Sequence, residues 1–231
     1  MVSPALAKFP APVTVPPTAQ THVAVGEEPE VLRNIRRPEI NLALWRRALT
    51  SPVARFARAC LSSAHLHFGF EAASDAVAPK LSTALAGSGA PRRDAAAWME
   101  DVVRLASLFA AATGARDLSV HVEVLAHDSC RLFHVDNVRC RLITTYAGAG
   151  TQWLRDGDVD RTVLGRGANS GVLRSGARVQ RMQSGWVGLF KGERLPEMEG
   201  RGIVHRSAPV RATGRRRLVV KIGHAGEIAC N

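Results

Sequence analysis

The sequence has no apolar run long enough to cross a membrane, few cysteines and only one tyrosine. A membrane helix needs roughly 18 or more consecutive apolar residues, so we expect no transmembrane segment. The four cysteines occur singly, without a Cys-x-x-Cys pair, which argues against a disulfide framework or a structural zinc ribbon. The amino terminus lacks a charged region followed by an apolar core, so we predict no signal peptide and a cytoplasmic protein.

Acidic residues are also scarce beside basic ones. The chain has 31 Lys and Arg against 20 Asp and Glu, a formal net charge of +11, which by itself favours nucleic-acid binding. The basic residues are spread along the chain, however, and a single tyrosine leaves few platforms for stacking single-stranded bases. We therefore expect neither a nucleic-acid nor a membrane partner. The sequence does not indicate whether the substrate is a small molecule or a protein.

The pattern of residues divides the 231-residue chain into four regions. Residues 1–30 contain clustered prolines and no periodicity, which predicts a disordered leader. Residues 31–115 are predicted to be helical, with helices over 41–49 (Asn41 as N-cap), 51–61, part of 72–89, and 94–112 (Asp94 as N-cap, Gly114 as stop). Residues 116–224 show short alternating strands and turns, and 225–231 form a tail. The helical and strand regions are predicted to form one continuous domain of α+β class, with helices packed on a β-sandwich or barrel.

One stretch of the β-rich half carries the candidate chemistry. Residues 130–146 are predicted to form a strand, and positions i and i+2 of a strand point to the same face. His134 and Asp136 would therefore project side by side. A third ligand, His205, follows in a later strand, and two histidines with one carboxylate are the facial triad of non-haem Fe(II) sites. The sequence predicts a metal site formed by His134, Asp136 and His205.

The chain resembles the DUF1826 proteins, a bacterial family of unknown function. The resemblance covers most of residues 31–222 and is carried by segments 35–47 (IRRPEINLALWRR), 133–137 (FHVDN), 151–154 (TQWL), 189–193 (LFKGE) and 204–209 (VHRSAP). The family name implies no activity.

The β-rich half also resembles the double-stranded β-helix of Fe(II)/2-oxoglutarate oxygenases, a cupin-like (jelly-roll) barrel. The resemblance implies Fe(II) and 2-oxoglutarate as cofactors and a dioxygenase of hydroxylase type. It also implies that Arg215, ten residues after His205, binds the 5-carboxylate of 2-oxoglutarate. Arg217 shares its predicted strand face, so the choice between the two stays open. Tyr146 and Thr144, on the predicted face of the metal ligands, are further candidates for holding the cosubstrate.

An alternative is a cupin-like protein that binds zinc without oxygenase activity, in a regulatory or metal-homeostasis role. Cys130 and Cys140 lie an even number of residues from His134, so on a regular strand all three would face the same side. Thiolate ligation would favour zinc. A third possibility places His134 and His205 apart, each hydrogen-bonded in the core.

Overall fold

The computed structural model describes residues 22–63 and 66–227. The strands and α-helices follow one another as β1 (Val23–Gly26), β2 (Leu42–Trp45), α1 (Ser51–Cys60), β3 (His67–Ala73), α2 (Val77–Ala86), α3 (Ala95–Thr113), β4 (Asp117–Leu125), β5 (Cys140–Ala147), β6 (Gln152–Trp153), β7 (Gln180–Arg181), β8 (Val187–Lys191), β9 (His205–Arg206) and β10 (Arg217–His224). A 3-10 helix, Pro29–Arg36, lies between β1 and β2. Within the described residues, no helix combines the length and apolarity that crossing a bilayer requires.

Seven strands form one large mixed sheet in the order β1-β2-β8-β5-β10-β4-β3. Strands β1 and β2 are parallel, and every other neighbouring pair is antiparallel. A second sheet, β7-β6-β9, has three two-residue strands. The predicted α+β class is therefore confirmed. Among the described strands, no pairing joins the two sheets into a closed barrel, in contrast to the barrel that the sequence suggested.

The helices cover one face of the large sheet and bury the main hydrophobic core there. Helix α3 contributes Trp98, which is fully buried and stacks on Phe56 of α1 with ring centroids 4.9 Å apart. Gly114 ends α3 in the left-handed conformation that glycine adopts most readily. Asp94 stands at the predicted N-cap position, but its side chain forms no capping hydrogen bond and pairs instead with Arg55.

The opposite face of the large sheet packs partly against the small sheet. A second apolar cluster lies there, with Leu44 of β2, Phe190 of β8 and Val219 of β10 against Trp153 of β6. This face also carries the charged residues described below. The space between the two sheets therefore positions the candidate site.

Two expectations for the amino-terminal half are wrong. Residues 23–26 form β1 and residues 29–36 a 3-10 helix, so regular structure begins before residue 31. Residues 1–21 of the predicted leader, and most of the predicted tail, lie outside the described residues.

The predicted helix over 41–49 is strand β2, whose four residues are all buried because both sheet faces are covered. Asn41 is not a helix cap, since its side chain bonds to His22, Asp156 and the carbonyl of Arg201. The region 31–115 thus contributes strands β2 and β3 as well as helices.

Candidate metal centre

The loop between β4 and β5 brings His134 alongside β9. Residues 130–139, predicted to be a strand, are irregular in the structure except for one bridge between His134 and His205. The two residues exchange both backbone hydrogen bonds, at 3.0 and 2.9 Å. Residues paired in this way present their side chains on the same side, and the two imidazole centroids lie 4.7 Å apart. The backbone pairing therefore brings the two histidines together.

Each imidazole is fixed by a backbone carbonyl two residues earlier in the chain. Nδ1 of His134 lies 2.9 Å from the carbonyl oxygen of Leu132, and Nδ1 of His205 lies 3.1 Å from that of Ile203. Because a carbonyl only accepts hydrogen bonds, Nδ1 must carry the proton in both rings. Each Nε2 is then left with its lone pair when the ring is neutral, which is the arrangement that metal-ligating histidines adopt.

Asp136 completes the cluster. Its carboxylate oxygens lie 3.4 Å from Nε2 of His134 and 3.5 Å from Nε2 of His205. One ligand atom from each residue lies within 4.8 Å of the others, a separation that a single ion can bridge. The structure therefore brings together the three side chains that the sequence singled out, and their donor set suits a divalent metal ion.

Burial and charge act against each other in this cluster. Burial opposes a charge on His134, but hydrogen bonds with Asp136 and Cys130 outweigh it and raise the pKa of His134 to about 10. Burial dominates at His205 and lowers its pKa to about 4. Burial also opposes the charge of Asp136, but His205, His134 and Arg141 outweigh it, so the pKa of Asp136 lies below its ordinary value. Asp136 is therefore a carboxylate at neutral pH and ready to bind a cation.

Arg141 is a residue of this site that the sequence prediction missed. It lies on β5, is 7% exposed, and donates a hydrogen bond of 2.7 Å to Asp136 through one of its terminal guanidinium nitrogens. The guanidinium fixes the orientation of the carboxylate. An arginine inside the apolar run of β5 was the available signal, because a buried strand rarely carries a charge without a partner.

Arg217 lines the site, whereas Arg215 does not. Strand β10 begins at Arg217, which is 2% exposed and borders the same small cavity as His134, Asp136 and His205. Its Nε has no hydrogen-bond partner within the described residues, one terminal nitrogen donates to the carbonyl of Ala149, and burial lowers its pKa. Arg215 precedes the strand, just after a turn ending at Gly214, and is exposed. Of the two candidates, only Arg217 is placed to meet a ligand at this site.

Tyr146 and Thr144 lie on the wrong face of the sheet to contact the site. Tyr146 packs among the helices, against Trp98, and donates a hydrogen bond of 2.6 Å to Asp101. Thr144 pairs with Val220, whose side chain belongs to the same helix-side core. The prediction carried the alternation of His134 and Asp136 through to residue 146, but the strand begins only at Cys140. The residues of β5 that face the site are Arg141 and Ile143.

The two cysteines near the site lie on opposite sides of the large sheet. Cys130 is half-buried and lines the cavity beside His134. Cys140 lies in the helix-side core, where burial raises its pKa to about 12. The expectation that Cys130, Cys140 and His134 share one face is therefore wrong.

The cavity at the triad has a volume of only about 20 Å³. A single water molecule needs roughly 10–15 Å³ on this measure, so the space holds an ion with about one water. Cys130, Arg206 and Ser207 line it alongside the three residues of the candidate triad. The guanidinium of Arg206 stacks 4.3 Å from the ring centroid of Phe133. 2-Oxoglutarate does not fit this cavity unless these side chains move.

Comparison with solved structures gives several similar folds at low identity. A rice dioxygenase for auxin oxidation is 13% identical, with 89% of this chain and 86% of that chain aligned at a TM-score of 0.47. The Arabidopsis thaliana dioxygenase for auxin oxidation 1, in complex with 2-oxoglutarate, is 9% identical over 89% and 92%, with a TM-score of 0.48. A Pseudomonas putida prolyl-4-hydroxylase is 14% identical over 74% and 93%, with a TM-score of 0.32. Similarities at TM-scores below 0.5 do not by themselves assign a function.

No curated protein sequence matches the chain at a significant level. The profile of one family, described as a protein of unknown function, matches residues 26–222, which include the whole triad. The chain belongs to this family, DUF1826.

Proposed function

We propose that this chain is a non-haem Fe(II)/2-oxoglutarate-dependent oxygenase acting on a substrate yet to be identified. The observation that carries the proposal is the convergence of two imidazole Nε2 atoms and one carboxylate, with both Nδ1–H groups held by backbone carbonyls. Fe(II) bound by such a facial triad keeps three coordination positions free for cosubstrate and oxygen chemistry. The two sheets would then represent an open form of the double-stranded β-helix.

The chain's own residues prepare the site in three ways. The carbonyls of Leu132 and Ile203 hold both Nδ1–H groups, so each ring presents its Nε2 lone pair once it is neutral, and a metal ion would displace the proton that Asp136 favours on His134. Arg141 holds the carboxylate of Asp136 in place. Burial of Asp136 and His205 keeps bulk water away from the ligands.

Arg217 is the proposed partner of the cosubstrate carboxylate. A guanidinium pairs with a carboxylate through two parallel hydrogen bonds, and a buried one without an anionic partner is costly. Within the described residues, Arg217 has no carboxylate at ion-pair distance, and its Nε has no acceptor. The carboxylate of a bound cosubstrate would supply both the missing ion pair and the missing acceptor for Nε.

The second candidate is a zinc-binding protein without oxygenase activity. The small volume of the cavity favours it, because an ion fits there and 2-oxoglutarate does not. Zinc accepts histidine and carboxylate ligands in the same arrangement. The two candidates differ in whether the cavity opens to admit a dicarboxylate.

An anaerobic titration of the Fe(II)-loaded protein with 2-oxoglutarate distinguishes them. We expect a charge-transfer absorption band in wild type, and an apparent affinity at least about tenfold weaker in Arg217→Met because a bidentate ion pair is lost. Arg215→Met is the matched control and should titrate like wild type. Metal binding without this charge-transfer band would contradict the oxygenase proposal and support the zinc-binding protein.

A further inference from the structure

A second cavity, of about 370 Å³, opens between the two sheets at the β1–β2 edge. Strands β1 and β2 supply one wall, and residues of β6 and β7 the other. It shares no lining residue with the cavity at the metal ligands. Its size lies within the range of small-molecule sites, about 300–1,000 Å³.

The rim of this cavity is basic. Arg46, Arg155 and Arg181 line it, and its described lining includes no Asp or Glu. All three arginines are exposed, and none forms an ion pair with a carboxylate within the described part of the chain. The neighbouring Asp156 does not neutralise the rim, because its carboxylate is held by Arg161 at 2.7 Å. The cavity therefore presents an uncompensated positive charge at its mouth.

The walls are apolar and aromatic. Trp153 and Trp186 line the cavity together with Val23, Val25 and Leu44, and Arg46 lies 4.9 Å from the ring centroid of Trp186. Only 5% of the surface of Trp153 is exposed, and its indole N–H has no acceptor within the described residues. The walls can therefore cover the apolar part of a ligand.

We propose that this cavity binds a small organic anion with a flat apolar body. The arginines would pair with the anionic group, while the tryptophans and valines would cover the body. A carboxylate and a phosphate share this chemistry, so two probes distinguish them: 2-naphthoate and adenosine monophosphate. The proposal does not depend on the metal or on the oxygenase assignment.

Isothermal titration of the full-length protein tests the proposal. We expect one of the two anions to bind, and its neutral counterpart, 2-naphthamide or adenosine, to bind at least about tenfold more weakly because the charge-assisted bonds are lost. Each single variant Arg46→Ala, Arg155→Ala or Arg181→Ala should weaken binding about two- to fivefold, as expected for exposed ion pairs. Arg33→Ala removes an exposed arginine away from the cavity and should leave binding unchanged.

Two further measurements test the role of charge and the independence of this cavity from the metal site. Binding should weaken as sodium chloride is raised from about 0.05 to 0.5 M because the rim charges are screened. His134→Ala should bind the anion like wild type, so failure of the metal proposal and failure of this one are separate results. Absence of binding by both anions, equal binding of the neutral counterparts, or no effect of the three arginine variants would overturn the proposal.

Discussion

The two faces of the large sheet are built from different chemistry. The helix-covered face buries a continuous apolar core, in which Trp98 stacks on Phe56 and meets Tyr146 edge to face. The other face buries Asp136, Arg141, Arg217 and His205 within one small region. Buried charges are unfavourable unless they are paired, and a purely structural sheet does not need them. We infer that the helix side chiefly stabilises the fold, and we propose that the other side binds a ligand.

The largest effect on stability should come from the helix side. Trp98→Ala removes a fully buried side chain, so we expect the free energy of unfolding to fall by about 3–5 kcal/mol. Urea denaturation measures this loss, and Trp98→Phe should lose less. At temperatures where the variants remain folded, both should bind as much metal as wild type. Loss of metal from folded Trp98→Phe would show that metal binding on one face depends on packing on the other.

A glycine behind the site should couple stability to metal binding. A methyl group at Gly192 would clash with the backbone carbonyls of Val138 and Asp136, in the loop that positions the carboxylate. We expect Gly192→Ala to lower the free energy of unfolding by about 1–3 kcal/mol through overpacking, and to weaken metal binding as well. Denaturation and competition with a chromophoric chelator measure the two effects.

Gly157→Ala is the matched control, since nothing lies within 4 Å of the added methyl group. Its stability and metal affinity should both stay close to those of wild type. If Gly192→Ala binds metal as tightly as this control, the geometry of the loop does not limit binding.

A smaller effect, of opposite sign, is expected for Arg217→Met. Replacing a buried, incompletely paired charge by an apolar side chain is often neutral or stabilising, here by about 0–2 kcal/mol. Thermal unfolding without 2-oxoglutarate should therefore give an equal or higher midpoint than wild type. A loss of more than about 2 kcal/mol would mean that Arg217 is a structural residue.

The smallest perturbation is chemical labelling of single cysteine thiols on the two sides of the large sheet. Burial raises the pKa of Cys60 and of Cys140 to about 12, so almost none of either thiol is deprotonated at pH 8. Cys130 is half-buried, and its pKa is lowered, chiefly by a hydrogen bond with His134. A short iodoacetamide pulse followed by peptide mapping should label Cys130 well before the other two. Equal labelling of Cys140 and Cys130 in the folded protein would contradict the assignment of faces.

The sequence predicted the composition of the triad better than its structural setting. His134, Asp136 and His205 are brought together, but through one backbone bridge and an irregular loop, where a regular strand was expected. The rule that alternate residues of a strand share a face then failed for Tyr146 and Thr144, because the strand begins at Cys140 and not at residue 130. A register shift between β10 and β5 near residue 146 adds a second break in the alternation.

The secondary structure was predictable where one face of an element is exposed. Helix α3 has the expected periodicity and nearly the expected bounds. Strand β2 was mistaken for a helix because Leu42 and Trp45 fit helical spacing, while burial of both faces removes the alternation that identifies a strand. Arg217 could not be separated from Arg215 because the strand start depends on the preceding turn.

Metal content is the most direct test of the central claim that His134, Asp136 and His205 form a metal site. Wild type, His134→Ala and the exposed control His67→Ala should be purified without chelator and analysed for iron and zinc. The triad predicts about one ion per chain in wild type and His67→Ala, and very little in His134→Ala. Equal metal content in His134→Ala and wild type, or metal-free wild type even after reconstitution with Fe(II) or Zn(II), would contradict it.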